Sequence, residues 1–361
     1  MKKIKWYKIL LCVVAALILV VGGYVAYVLL TYSRIPDNTA LTVTGNASEK
    51  AKTGEEYTIT SYNLGFGAYT ADYSFFMDGG KESRARSKES VNTCINGCAD
   101  IVLQYSPDIA IFQEVDTDST RSFHIDQTAM VNEKFEKAGQ YDNVFACNYH
   151  SAYLMYPLIK PHGASNSGLL TESRFDVTSS LRRSLPIATS IKKILDLDRA
   201  YSVSRIPVEN GKELIIINLH LSAYGTDAAQ GNAQMDMVFS EMKKEYEAGN
   251  YVITGGDFNH DFTGTSKEYF NPGFTGDFSW CNTFPADSIP EGFSRCMDYS
   301  EGLVPSTRNA DIPYSPECFT VILDGFLISD NIECTYVQNI DKAFEFTDHN
   351  PVVMKFILKN E

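Results

Sequence analysis

Residues 251–259 read YVITGGDFN, four aromatic or β-branched residues stopped by two glycines and followed by an Asp-x-Asn pair. The run is too short for an ordinary helix and has the composition of a buried strand. Gly255 and Gly256 let the backbone turn closely, and the two-residue spacing puts Asp257 and Asn259 on one side of an extended segment. The same arrangement recurs along the chain. Residues 57–63 (YTITSYN) end in Asn63, residues 108–114 (DIAIFQE) end in Gln113 and Glu114, and residues 214–220 (LIIINLH) end in Asn218 and His220. Asp324 lies inside VILDGFLIS (321–329), and Asp348-His349 falls in TDHNPV (347–352), just ahead of the last apolar run. Strand interiors are packed and exclude naked carboxylates, whereas strand ends can present them rigidly to a shared cleft.

Taken singly, each of these residues has a plain structural reading. A strand-end Asn or Glu is a turn or cap, a His on a strand is a satisfied core residue, and Asp-x-Asn after glycines is a tight turn. The recurrence of the pattern in one domain carries the functional argument.

The other elements set the fold class. Val91, Cys94, Cys98, Ile101, Val102 and Tyr105 recur at three- and four-residue intervals, which predicts a helix over 84–105 that Pro107 ends. Further helices are expected over 125–138 and 226–248, and strands over 144–147, 168–171, 200–208, 213–221, 335–339 and 351–358. Asn210-Gly211 joins two of these strands as a type I′ hairpin. Antiparallel neighbours mixed with helices fit two sheets packed face to face with helices outside, rather than a parallel doubly wound sheet. There is no internal repeat or low-complexity tract, so residues 56–361 read as one domain.

At the N-terminus, residues 9–30 are uncharged and apolar. As a helix they would reach roughly 33 Å at about 1.5 Å per residue, enough for a hydrocarbon core of about 30 Å. A cleaved signal peptide would have a shorter core and an A-x-A-like site. This run leads instead into YSRIP, and Cys12 lies at its start, not after it as a lipoprotein cysteine would. The reading is a retained signal anchor at the cell membrane. Residues 1–8, with Lys2, Lys3, Lys5 and Lys8, stay cytoplasmic, 9–31 span the membrane, 32–55 form a polar tether and 56–361 lie outside. Seven cysteines follow the span, an odd number with no C-x-x-C pair. Cys281 and Cys296 are the pair expected first if any disulfide forms, and burial as small apolar residues is the alternative.

Composition narrows the class. Hydrophobic residues at 44% and charged residues at 21% exclude a disordered or collagen-like chain and a polytopic membrane protein. Beyond the four leading lysines the chain has 27 basic against 45 acidic residues, a net charge of −18. A body so acidic lacks the long-range attraction to phosphate backbones on which non-specific nucleic-acid binding mostly depends. Within it, Glu114, Asn63 and Asp348 offer hard oxygen ligands without cysteine, which suits Mg²⁺ or Mn²⁺ better than zinc. A histidine held by a carboxylate can deprotonate water near neutral pH.

In this order, Asn63, Gln113-Glu114, Asn218-x-His220-Leu221, Gly256-Asp257-Phe258-Asn259, Asp324 and Thr347-Asp348-His349-x-Pro351-Val352 resemble the motifs of the endonuclease/exonuclease/phosphatase superfamily. That superfamily includes pancreatic-type deoxyribonucleases, apurinic endonucleases, bacterial sphingomyelinases and inositol polyphosphate 5-phosphatases. The resemblance runs from about residue 57 to about 358. It implies an α/β (α+β) four-layered sandwich of two mixed sheets and Mg²⁺-dependent hydrolysis of a phosphate ester. It further implies that Glu114 is the principal metal ligand with Asn63 and Asp348 nearby, that His349 activates water and Asp324 orients it, that Asp257 and Asn259 position nucleophile and phosphate, and that His220 is an acid or donor. Arg199 resembles a phosphate-contacting arginine of the deoxyribonucleases. His150, His162 and Asn166 are expected in loops on the substrate side, and Arg84 and Arg86 at a solvated helix start.

Three substrate readings remain open: a lipid headgroup or similar small phosphodiester, a nucleic acid, and a ligand merely bound by a fold that has lost catalysis. The anchor and the acidic body favour the first. The aromatic stretches 69–76 and 148–157 would either touch lipid or pack in the core. The chain is expected to be monomeric.

Overall fold

Two seven-stranded sheets stack face to face. In spatial order the first holds β1 (Thr39–Leu41), β7 (Ser179–Ser184), β8 (Ala200–Pro207), β9 (Glu213–His220), β10 (Tyr251–Asp257), β12 (Asp324–Ser329) and β11 (Phe293–Arg295). The second holds β13 (Ile332–Asn339), β14 (Val352–Leu358), β3 (Glu56–Asn63), β4 (Ile109–Asp116), β6 (Gly163–Ser173), β5 (Asp142–Leu154) and β2 (Val43–Gly45). The structure, a computed structural model, describes residues 5–187, 193, 198–223, 228–276, 280–297 and 299–360. Residues 226 and 227 of one expected helix lie outside these.

The long apolar runs follow from burial on both faces. On β9, Leu214 and Ile216 point between the sheets, where they meet Ile59, Ile111, Ile253 and Met354. Ile215, Ile217 and Leu219 point outward to Met235, Val238, Phe239 and Met242 of helix α4 (Ala228–Glu247). Helices α2 (Lys88–Leu103) and α3 (Gln127–Ala138) cover the other sheet through Val91, Ile95, Val131 and Phe135, packed on Tyr62, Phe112 and Leu170. Ser87 caps α2 by accepting from Ser90 N at 3.1 Å, and Asp126 caps α3 by accepting from Ala129 N at 3.1 Å. The result is the expected order of helix, sheet, sheet and helix.

Topology explains why so many polar strand ends meet. The centre of each sheet is a strand–helix–strand unit with a parallel pair, β3 with β4 and β9 with β10. Parallel strands end on the same side, so Asn63 stands opposite Gln113 and His220 opposite Asp257. Antiparallel β12 starts at that same side, with Asp324 opposite Asp257, and β14 starts beside Ser61. Gly256 is required for this register. Its φ is +134°, and a Cβ there would stand 2.0 Å from the Leu219 carbonyl oxygen.

The two sheets are also joined by side-chain amides. Asn218 Nδ2, on β9, donates to the Leu170 and Phe112 carbonyls at 3.0 and 3.3 Å, and its Oδ1 accepts from Gln113 Nε2 at 3.0 Å. The register of β4 against β6 slips between Phe112 and Val115, a bulge at which Glu114 takes a φ of +53°. This bulge turns Glu114 toward the end of the sandwich.

Three expectations need correction. Residues 32–55, read as a free tether, carry β1 and β2, which pair with β7 and β5 at the rims of the two sheets. Unpaired rim strands attract any β-prone neighbour, and the Thr- and Val-bearing segment supplies one. The strands expected over 144–147 and 168–171 are the middles of β5 and β6, which run on as a long hairpin. Cys296 and Cys334 pack in the same core between the sheets, while Cys281 packs with Phe319, Val321 and Leu323. All cysteines are free thiols here. Helix α1 (Trp6–Thr31) is long and apolar enough to cross a membrane, and none of its residues is buried.

Asn218→Ala should destabilise the protein by about 2–4 kcal/mol, because it removes buried hydrogen bonds to two carbonyls and to the Gln113 amide, which keeps only Ser61 Oγ at 3.3 Å. Thermal unfolding followed by circular dichroism reads this, and an unchanged midpoint would contradict the bridging role.

Candidate active site

A cavity opens where the four central strands end. Its wall includes Glu114, Arg121, His162, Arg199, His220, Asp257, Asn259, Arg308, Asp348 and His349. Seven of the nine residues singled out in the sequence thus line one cavity. The other two, Asn63 and Asp324, stand directly behind it and act on residues that line it.

Asp324 is buried at the start of β12. Its Oδ2 accepts from Ser306 Oγ at 2.7 Å and Thr307 Oγ1 at 3.1 Å, and lies 2.8 Å from His349 Nδ1. Ser306 Oγ in turn accepts from the Leu323 and Asp324 amides at 2.9 and 3.1 Å. The carboxylate is therefore fixed from three sides, and it fixes the imidazole so that Nε2 faces the cavity. Burial disfavours the charged form of His349, but the Asp324, Asp257 and Asp348 carboxylates outweigh it and raise its pKa to about 10.

Asp257 is the centre of the group. Oδ2 accepts from Asn63 Nδ2 at 3.1 Å, and Oδ1 accepts from the Asn259 amide at 2.9 Å. His220 Nε2 and His349 Nε2 stand 3.6 and 3.7 Å from Oδ2, beyond hydrogen-bond length, so both imidazole edges remain available to a ligand. Burial, reinforced by the Asp324 charge, pushes the Asp257 carboxyl up to about 7. His220 is driven the other way, well below the usual imidazole range, by burial and by the positive charges of Arg199, His349 and Arg121. It is held neutral. Asn259, with φ +51°, leaves the strand direction, and its Nδ2 donates to the Leu221 carbonyl at 2.7 Å.

Glu114 and Asp348 share the cavity wall. Burial raises both carboxyls, and the Asp348 charge raises Glu114 further. Among the described residues no donor reaches the Glu114 carboxylate, which is half-buried in the cavity wall. Two hard oxygen groups, one of them without a protein donor, fit a divalent cation of the magnesium or manganese type. Asp257, Asp324 and His349 also present ligand atoms within 4.8 Å of one another. In that trio Asp324 is already hydrogen-bonded to His349, and Asp257 accepts from Asn63 and the Asn259 amide, so Glu114 and Asp348 are the better seat. Asn63, expected near the metal, uses its Nδ2 on Asp257 and its Oδ1 on the Gly65 amide at 3.0 Å.

Arginines supply the opposite charge. Arg199 lines the cavity, and its Nε is a buried donor without a partner among the described residues. Arg121, missed in the sequence, is buried under Asp116 in a two-point pair at 3.0 and 2.8 Å, with its guanidinium 3.9 Å from the Phe66 ring centre. Arg308 is spent on backbone, donating to the Tyr73 and Thr70 carbonyls at 3.1 and 3.2 Å. Of the three residues expected in loops, His150 and Asn166 instead pair on β5 and β6, and His162 lines the cavity, with its Nδ1 2.9 Å from the Ser83 carbonyl. The His150 side chain pairs with Asp198, and the Asn166 amide donates to the Asp118 carbonyl at 3.4 Å. Arg86 pairs with Asp72 and Glu82 near the start of α2, and Arg84 donates to the Pro161 carbonyl.

The model of the Endonuclease/Exonuclease/phosphatase family matches residues 60–289. The chain belongs to this family. Family members are divalent-metal-dependent phosphoesterases, in keeping with the donor set above. Solved structures agree on the fold at low identity. An endonuclease/exonuclease/phosphatase protein of Beutenbergia cavernae superposes with a TM-score of 0.58 at 15% identity, covering 84% of this chain and 72% of that one. ANGEL2, a 2′,3′-cyclic phosphatase, gives 0.56 at 14% identity, covering 89% and 99%. D. rerio TDP2, solved with a single-stranded DNA product, gives 0.54 at 12% identity, covering 84% and 99%. No curated protein matches the chain by sequence.

Glu114→Gln keeps the shape of the side chain and removes its charge. It should weaken Mn²⁺ binding by more than about tenfold, measured by titration calorimetry on folded protein. Unaltered affinity would place the cation elsewhere.

Proposed function

We propose that the chain is a membrane-anchored phosphodiesterase whose body lies on the outer side of the cell membrane and hydrolyses a phosphodiester with Mg²⁺, or Mn²⁺ in its place. The observation that carries this reading is the line Asp324–His349–Asp257, set beside two carboxylates suited to a cation and an unpartnered Arg199 Nε in the same cavity. Glu114 and Asp348 hold the cation, with Asn63 next to them. The bound cation supplies positive charge to the phosphate oxygens and lowers the proton affinity of the acidic and imidazole groups around it.

The chain's own groups do the rest. Asp324 holds the His349 ring so that Nε2 takes a proton from the attacking water. Asp257, fixed by Asn63 and the Asn259 amide, orients that water, and Asn259 holds the phosphate beside it. Neutral His220 offers a hydrogen bond to a phosphoryl oxygen as its charge grows, and Arg199 binds a non-bridging oxygen. With Lys2, Lys3 and Lys5 ahead of α1 and Lys8 in its first turn, the N-terminus faces the cytoplasm.

A second reading, a surface nuclease, draws support from TDP2, solved with a single-stranded DNA product, and from ANGEL2, a 2′,3′-cyclic phosphatase. The net charge of −18 beyond the leading lysines weighs against it. A ligand-binding protein without turnover is disfavoured, because no motif position is substituted.

The purified protein should hydrolyse bis(p-nitrophenyl) phosphate, and a chelator should abolish this. His349→Ala should reduce turnover by about 10²–10⁴ with little change in unfolding. Near-full activity of that variant would overturn the mechanism.

A further inference from the structure

The turn between β5 and β6 is an apolar outcrop on an acidic body. It exposes Tyr153, Met155, Tyr156, Leu158 and Ile159, with Leu158 81% and Ile159 95% accessible. Among the described residues outside α1, the other exposed large apolar side chains are only Tyr269, Ile312 and Tyr314. An apolar cluster in water is unfavourable unless something covers it.

The structure indicates what covers it. Tyr24 Oη of α1 donates to the Tyr153 carbonyl at 3.3 Å and accepts from the Met155 amide at 2.9 Å, and Tyr27 Oη accepts from the Tyr153 amide at 3.3 Å. On a helix, Trp6 and Tyr27 are about 32 Å apart at ~1.5 Å per residue, close to the hydrocarbon thickness of about 30 Å. Aromatic rings at both ends of a span sit at the two headgroup levels. Tyr24 and Tyr27 mark the outer level, and the turn bonded to them is held at that depth. Lys160, exposed beside Ile159, brings a positive charge to the level of the lipid phosphates.

The outcrop also continues into the cavity. Tyr156 packs on Phe76 with ring centres 5.7 Å apart, and Phe76 on Phe75 at 4.9 Å. Phe75 and Met77 then form part of the cavity wall, as does His162 at the far side of the turn. An unbroken apolar strip thus leads from α1 to the groups that face the phosphate.

We propose that residues 153–160 are a second membrane contact, inserting Leu158 and Ile159 into the outer leaflet of the bilayer that α1 spans, and that the cavity takes phosphodiesters carried by lipids of that same bilayer. This rests on the anchored phosphodiesterase reading and names its substrate class. The lipid headgroup reaches the cavity while its chains stay along Phe75, Phe76 and Tyr156.

The test uses the full chain in phosphatidylcholine vesicles. With Leu158→Trp, the added indole emission, obtained by subtracting the parent protein, should be blue-shifted and quenched by lipids brominated on their acyl chains. Emission typical of water, or shielding that bromine does not quench, as under a protein partner or a second copy, would overturn the contact. The double variant Leu158→Asp, Ile159→Asp should lower turnover of a fluorescent-headgroup phospholipid in the vesicles by about tenfold or more, while leaving bis(p-nitrophenyl) phosphate hydrolysis unchanged. Unchanged turnover of both, or equal loss of both, would overturn the substrate assignment. If the parent hydrolyses neither ester, the phosphodiesterase reading fails, and the quenching still decides the membrane contact.

Discussion

The amide of Asn218 is the constraint on which the rest depends. It sits between two sheets whose facing surfaces are otherwise apolar, and it links β9 of one to Phe112 and Gln113 of β4 and to Leu170 of β6 in the other. Apolar packing alone is non-directional and would let the sheets slide. Hydrogen bonds between buried amides have one good geometry, so they set the sheets in a single relative position. That position brings Glu114, at the adjacent bulge, to the same opening as His220 and Asp257. The βαβ unit at each sheet centre does the complementary task of collecting polar ends on one side.

The cavity combines charges that would be unfavourable apart. Glu114, Asp257, Asp324 and Asp348 crowd together, and burial pushes protons onto Glu114, Asp257 and Asp348. Imidazoles and guanidinium groups interleave with them. Asp324 makes His349 strongly basic, and Arg199 and Arg121 keep His220 neutral, so two identical side chains take different states within one site. Such separation of proton affinities is what acid–base chemistry at a single phosphorus requires. Arg199 and Arg121 bring positive charge to the cavity of a chain whose net charge is −14.

Much of this was legible in the sequence because strand periodicity is local. A short apolar run ended by polar groups reveals its own type and end, so Asn63, Glu114, His220, Asp257 and Asn259 were visible before any coordinates. Ser306, Thr307 and Arg121 were not, since they sit in irregular segments whose neighbours are decided only by tertiary packing. Arg121 read as one polar residue among TDSTRS, and its burial follows from Asp116 and Phe66, which no spacing rule relates to it. Residues 32–55 misled for the converse reason. Their composition is that of a linker, yet pairing at a rim needs backbone and not apolar side chains. The aromatic stretch 148–157 escaped a single reading because residues 148–154 belong to β5 and 155–157 to the exposed turn.

The rim pairing of β1 and β2 has a practical consequence for any shortened form of this protein. The segment is fastened from Ile35, whose amide donates to Asp198 at 2.8 Å, through the bridges of Glu49 and Ala51 to Phe175 and Val208. A recombinant body begun at residue 56 would shed both outer ribbons and expose two rows of unsatisfied backbone groups to neighbouring molecules, an invitation to precipitate. Begun near Arg34, it would keep its selvedges.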